Sequence, residues 1–278
     1  MAVLDTATAV RATSANSTAT VLWAGLDSTL HRVRRGEGAL LAVNLSLIVQ
    51  AGGDFSRSFA QALVSLLTLI SLYAFNDFWD APTDANNPRK DRALVTAYLE
   101  YRGTSLAAIA TLKLLTLALA LSTLGAQAVG FVAAVLVVNV LYSTILKGVP
   151  VIDIVVCGLW GALYAGIVDT TLVNIVLIAL MTAICHMYQA LGDRAADAAN
   201  GVVTTAVRST MLSTVVLFGL SFLFFMVSRD QLGGPLALTA FAPALFSLVV
   251  EPHTGWLLSK VYFGIVWLYA LGFFHAIG

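Results

Sequence analysis

Two short acidic clusters carry most of the chemistry legible in this sequence. The first reads Asn76-Asp77-Phe78-Trp79-Asp80-Ala81-Pro82-Thr83-Asp84, so Asn76, Asp80 and Asp84 recur at every fourth residue. They share one face of a helix if the helix runs that far, whereas Pro82 offers the alternative of a turn that swings the last carboxylate inward. The second reads Asp193-Arg194-Ala195-Ala196-Asp197, again two carboxylates one turn apart. Carboxylates so close repel one another and are costly to desolvate at a membrane boundary, unless a cation sits between them. A ligand set made of oxygens, without His or Cys, suits Mg²⁺, which takes one or two carboxylates and completes its shell with water and substrate phosphates. Asn76, Asp77, Asp80, Asp84, Asp193 and Asp197 are therefore the candidate metal ligands. Two such clusters on separate helices could hold metal ions on both sides of one diphosphate. Basic residues accompany them: Arg89, Lys90 and Arg92 follow the first cluster, Arg194 and Arg208 surround the second, and Lys147 closes the stretch Tyr142-Ser143-Thr144-Ile145-Leu146-Lys147. Each could pair with a phosphate oxygen or serve as an ordinary anchor snorkelling at a helix end.

The elements that must position these residues are transmembrane helices. Of 278 residues, 59% are hydrophobic and 11% charged, with a mean hydropathy of +0.88, against about 25% charged in an average soluble domain. That excludes a disordered scaffold, a secreted disulfide domain and a nucleic-acid binder, and it makes the lipid bilayer the first partner. Lys+Arg and Asp+Glu both number 15, so net charge points to no partner. Cys157 and Cys185 lie inside apolar runs without metal-ligand spacing, which argues for packing. Residues 1–20, rich in Ala, Thr and Ser, read as a disordered tail rather than a signal peptide. Residues 21–38 read as an amphipathic interfacial segment or a polar lead-in to the first span. Apolar stretches near 39–51, 58–76, 104–123, 127–146, 150–168, 171–191, 210–228, 235–250 and 256–276 predict about nine helices in an all-α membrane bundle, the architecture that satisfies backbone groups within lipid. With nine crossings, twelve of the fifteen basic residues fall on one face, which the positive-inside rule makes cytoplasmic. Both acidic clusters lie on that face.

Taken together, NDFWDAPTD, the YSTILK segment and DRAADAANGVVTTAV resemble the UbiA superfamily of intramembrane prenyltransferases, over about residues 39–278. The resemblance implies nine transmembrane helices around a central cavity, and an isoprenyl diphosphate substrate bound through Mg²⁺ at two aspartate-rich motifs. By similarity, Asn76, Asp80 and Asp84 match the first motif, and Asp193 and Asp197, followed by Gly201 and Thr204, match the second. Tyr142 and Lys147 fall where the family keeps a tyrosine and a lysine near the diphosphate. Many members that prenylate quinone precursors carry an Arg-Pro pair in the first helix region and another shortly after the first motif. Here the first is missing and the second place reads Arg92-Ala93-Leu94.

The expected activity is ionisation of an isoprenyl diphosphate and transfer of the prenyl group to an aromatic or lipid acceptor. The same ionisation followed by intramolecular capture, a membrane-bound terpene cyclase, is the alternative. A transporter or Mg²⁺-binding structural protein is the remaining class. Asp80, Asp84, Asp193 and Asp197 are the expected catalytic residues, with Arg89, Lys90, Tyr142, Lys147 and Arg194 at the diphosphate. Asn44 and Gln189 are expected to line the cavity. His186 reads as a histidine satisfied within the bundle, and no role suggests itself for Lys113.

Overall fold

The computed structural model of the chain describes residues 38–85 and 91–272 and, ahead of them, residues 19–21, 23, 25, 29, 30 and 32. The expected tail at 1–20 lies almost wholly outside the described residues, as do Arg89 and Lys90. The described residues between 19 and 32 are helical. There Val21 is buried while Trp23 and Leu30 are exposed.

All the regular structure described is helical. Helix α1 (Ala39–Ala51) ends where Gly52 turns left-handed at φ 62° and its N–H reaches the carbonyl of Val49, a stop that glycine accepts without strain. Helix α2 (Phe55–Asp84) starts at Asp54, whose side chain accepts the Arg57 N–H. A short α3 (Arg92–Glu100) is capped by Asp91, which accepts from Ala93 and Leu94. After α4 (Arg102–Thr123) and α5 (Ala126–Leu141), a π-helical turn over Tyr142–Leu146 carries the chain to Lys147. Then follow α6 (Ile152–Ala165), α7 (Leu172–Ala199), the single turn α8 (Thr205–Arg208) and α9 (Thr210–Leu232). Helices α10 (Gly234–Leu238) and α11 (Ala242–Val249), joined by a 3₁₀ turn, and α12 (Pro252–Ala270) complete the bundle.

Each of the nine apolar stretches is thus mainly helical, and α3 is an additional element. The largest departures are at the motif ends. Helix α2 runs to Asp84 rather than stopping at 76, and α7 runs to Ala199 rather than 191. Hydropathy marks where lipid ends, while the helix continues through polar residues that can extend into water. Pro82 falls in the last turn of α2, where any kink would displace only the few residues that follow. Among the described residues, five helices qualify as membrane crossings by length and composition, α2, α4, α5 with its π turn, α7 and α9. Helices α1 and α6, at 13 and 14 residues, fall short of the ~20 needed for a perpendicular crossing.

The two helices that carry the acidic motifs are the most enclosed. Half of the apolar window of α7 and 44% of that of α2 are buried, against 22% for α4 and α9. One core gathers α7 with α9, α11 and α12 around Ile184, Phe224 and Phe263. A second gathers α2, α4, α5 and α6 around Leu72, Val132 and Tyr164. A third ties the motif end of α2 to α3 and α4 through Phe78 and Tyr98. Helices α6 and α7 approach closely because Gly158 and Gly161 face Ala179, Thr182 and Ala183, leaving no room at Gly161 for a Cβ. Small residues let membrane helices gain dispersion contacts where lipid supplies no hydrophobic drive.

Candidate active site

Asp80, Asp84, Asp193, Asp197 and Lys147 line both of two adjoining spaces. One is a cavity of about 1060 Å³ that reaches between α1, α2, α6, α7 and α12 and is walled by Tyr73, Trp160, Trp256, Phe263 and Trp267. The other is a recess of about 400 Å³ bordered by Ser143, Thr144, Gly148, Asn200 and Gly201. Helix periodicity explains the convergence. Because α2 continues through Pro82, Asn76, Asp80 and Asp84 remain on one face, and the same holds for Gln189, Asp193 and Asp197 on α7.

The first motif is internally organised. Asn76 Nδ2 donates to Asp80 Oδ2 at 3.2 Å, Ser143 Oγ donates to Asn76 Oδ1 at 3.3 Å, and Lys147 Nζ donates to Asp80 Oδ2 at 2.6 Å. Asp80 is buried, and Asp84, Asp193 and Asp197 are half-buried. Lys147 is delivered by the π turn, whose Lys147 N–H to Tyr142 carbonyl bond spans five residues. The extra residue per turn shifts the register of everything after it, and such turns gather at functional sites. Burial opposes the charge on Lys147, but the neighbouring carboxylates, Asp80 foremost and then Asp197 and Asp84, raise its pKa above the ordinary lysine value. Tyr142 also lines the large cavity, its hydroxyl 3.2 Å from His186 Nε2. Among the described residues, no three His, Cys, Asp or Glu side chains cluster as a ready-made metal cage.

Other expected residues go elsewhere. Asp77, one helical turn before Asp80, ion-pairs with Arg32, whose guanidinium also lies 4.7 Å from the Tyr73 ring centroid. Both members of that pair line the large cavity. Arg194 is exposed, donates to Thr210 Oγ1 at 2.5 Å and borders neither space. Gln189 lines the cavity. Asn44 does not: it is fully buried at the crossing of α1, α2 and α6, donating to Ser65 Oγ at 3.1 Å and the Tyr164 carbonyl at 3.0 Å. Its amide nitrogen is thus engaged by neighbouring helices rather than by the cavity, while Oδ1 is buried without a hydrogen-bond partner. Lys113 stacks over Phe75, with Nζ 4.1 Å from the ring centroid.

Sequence reasoning missed the Arg32–Asp77 pair, because the partners lie 45 residues apart. It also missed a polar wall on α12, where His253 and Lys260 border the cavity, Lys260 with its ammonium 3.2 Å from the Trp256 ring centroid. Lys260 reads as a topological anchor in sequence. A basic residue eight positions into a mostly apolar helix was the available signal that it faces something other than lipid.

A model of the UbiA prenyltransferase family matches residues 39–263. The chain belongs to this family. No individually curated protein sequence matches it. Among solved structures, a UbiA homolog from Archaeoglobus fulgidus bound to DMAPP and Mg²⁺ superposes with a TM-score of 0.62 at 16% identity, covering 86% of this chain and 97% of that one. The same homolog bound to GPP and Mg²⁺ gives 0.61 at 14% identity, over 86% and 96% of the two chains. Bound to Cd²⁺, it gives 0.58 at 17% identity over the same shares. This UbiA-family chain and the archaeal homolog therefore share one all-α fold over nearly the whole of the latter.

Proposed function

We propose that this UbiA-family protein is a Mg²⁺-dependent intramembrane prenyltransferase that ionises an isoprenyl diphosphate and passes the prenyl group to an aromatic or lipid acceptor. The observation that carries this reading is the shared lining of the two spaces. Four carboxylates and one lysine stand where a polar recess meets a long, aromatic-walled cavity. That arrangement matches a molecule with a highly charged head and an apolar tail. The archaeal homolog that shares the fold binds DMAPP or GPP together with Mg²⁺.

The donor set fits the metal. Asp80, Asp84, Asp193 and Asp197, with the Asn76 amide beside them, are hard oxygen ligands, and Mg²⁺ is held by a few carboxylates plus substrate phosphates rather than by a closed protein cage. Bound there, it would neutralise charge developing on the leaving diphosphate. The side chains supply the remainder. Lys147, kept protonated beside Asp80, offers N–H donors to a phosphate oxygen, and Asn76 holds the Asp80 carboxylate in one orientation. Tyr142 and Trp160 also line the cavity, and aromatic rings there would favour an allylic cation over its capture by water.

The same aromatic wall favours a second reading, a terpene cyclase in which the cation is captured within its own chain. Incubating membranes containing the full chain with prenyl diphosphates of increasing length, with and without aromatic acceptors, separates the two. A prenylated acceptor formed only when acceptor is present is the expected result. Hydrocarbon or terpene alcohol formed from diphosphate alone identifies the cyclase, and release of no diphosphate under either condition rejects both.

A further inference from the structure

A carboxyl group outside the two motifs ties together the loops on either side of the recess. Asp153, in the first turn of α6, is fully buried. Its Oδ1 accepts the Ile154 N–H at 2.9 Å and the Thr205 hydroxyl, and its Oδ2 accepts the Thr205 N–H at 2.8 Å. The Thr205 oxygen in turn accepts the Val151 N–H at 2.6 Å, and Thr205 is also fully buried. Val151 is the only described non-glycine residue with positive φ, at 71°. A β-branched side chain rarely adopts that conformation, and it persists where surrounding bonds over-determine it.

The two segments joined here lead directly from the charged groups. Residues 148–151 follow Lys147, and Lys147 and Gly148 border the recess on one side. Residues 200–205 follow the second motif, Val202 N–H returning to the Asp197 carbonyl at 2.9 Å, and Asn200, Gly201 and Val203 border the other side. A buried acid within an apolar helix is costly to retain, and here every donor it meets belongs to one of these segments or to its own helix.

We propose that Asp153 is a positioning residue. Through the Thr205 amide and hydroxyl, and through them the Val151 N–H, it clamps the Lys147 loop to the segment that follows Asp197, and so sets the separation of the Lys147 ammonium from the second acidic motif. The role of Lys147 itself rests on the function proposed above; the clamp does not. Displacements of about 1 Å in charged groups around a reacting centre can cost orders of magnitude in rate, which gives a buried staple a catalytic consequence without any contact to substrate.

The test uses the purified full chain with Thr205→Val, which keeps the volume and removes the hydroxyl, Thr205→Ser, which keeps the hydroxyl, and Asp153→Asn. Hydrogen exchange is read at residues 148–151 and 202–205. The expected result for Thr205→Val and Asp153→Asn is faster exchange in both segments together, about tenfold or more for the loss of a hydrogen bond to a charged group. Exchange in α2 and α9 should remain at the wild-type rate, and Thr205→Ser should restore protection. Acceleration in one segment only, or in neither, overturns the clamp. Turnover is then measured in a double-mutant cycle with Lys147→Ala. The Thr205→Val loss should largely vanish in the Lys147→Ala background, and independent, multiplying losses overturn the positioning role. If Thr205→Val does not fold, Asp153→Asn carries both readouts. Exchange requires no substrate, so a chain inactive on every prenyl diphosphate sinks the proposed function, while the clamp still stands or falls on its own measurement.

Discussion

Lys147 Nζ lies 2.6 Å from Asp80 Oδ2 and joins the ends of two helices across 67 residues of sequence. The contact decides the charge state of the lysine. Burial acts to lower its pKa, and Asp80, with Asp197 and Asp84 further off, outweighs burial and raises it. A raised folded-state value means that the contribution of the Lys147 charge to stability is present below the ordinary lysine pKa of 10.5 and is lost only as pH climbs through the higher folded value. Across the neutral range Lys147 therefore remains a cation, held beside the carboxylates by the π turn.

Lys147→Ala should weaken prenyl diphosphate binding by about 1.5–3 kcal/mol, or roughly 10- to 150-fold, the value of a partly desolvated charge-assisted hydrogen bond. Arg102, which stacks on Phe78 with its guanidinium 4.7 Å from the ring centroid and borders neither space, is the control. General attraction of an anionic substrate is screened beyond ~8 Å at physiological salt, so binding is measured at low and high ionic strength. A direct contact keeps most of its penalty in salt. Equal, salt-sensitive losses at Lys147 and Arg102 would reduce Lys147 to part of a basic surface.

Activity should require Mg²⁺ or another hard divalent ion, because the donors at the meeting of the two spaces are carboxylates and one amide. Asp80→Ala and Asp193→Ala should each abolish turnover while leaving a folded protein in detergent. Asp77→Ala should instead act through the loss of its Arg32 ion pair, with a smaller loss of turnover and no change in the Mg²⁺ concentration needed. Full turnover in excess chelator, or wild-type rates from either of the first two variants, would remove the metal-diphosphate site.

What was legible in the sequence is what repeats along a helix. The Asn76, Asp80, Asp84 and Asp193, Asp197 spacings give the faces that line the large cavity, and the apolar runs give the helices that carry them. What was not legible depends on register and on partners distant in sequence. Nothing in YSTIL announces a π turn, and no spacing links Arg32 to Asp77 or Asp153 to Thr205. Asn44 and Gln189 look alike in sequence, both polar within apolar runs. One is consumed by Ser65 and Tyr164 at a helix crossing, and the other opens to the cavity, a difference set by which neighbours each face meets.

Asn44→Leu should accordingly lower stability without altering the affinity for prenyl diphosphate. It removes two hydrogen bonds and leaves the Tyr164 carbonyl without the donor it has from Asn44. Hydrogen bonds within membrane bundles contribute about 0.6 kcal/mol on average and up to about 1.7, so a loss of roughly 1–3 kcal/mol is expected, read as a lower unfolding midpoint in detergent. A changed Michaelis constant with unchanged stability would return Asn44 to the cavity wall.

The final prediction concerns α6, which at 14 residues is short for a crossing. Helix α5 with its π turn delivers Lys147 to the acidic motifs, and α7 begins at Leu172 and delivers Asp193 and Asp197 to the same place at its far end. Both α5 and α7 are long and apolar enough to cross. The chain must therefore return between them, and α6 is the helix that can carry it. Its 14 residues span ~21 Å at 1.5 Å per residue, so the crossing is completed by the turns that flank it or by local thinning of the bilayer. Single cysteines at Asn86 and Asn200, in a chain with Cys157 and Cys185 replaced, should be labelled by a membrane-impermeant maleimide from the same side, the cytoplasmic one by the positive-inside rule. A cysteine at Thr170 should be labelled only from the other. Labelling of Thr170 from the same side as Asn86, with Asn200 labelled from the other, would mean that α6 re-enters without crossing, and that Lys147 and Asp197 lie on opposite faces of the bilayer and cannot share a site.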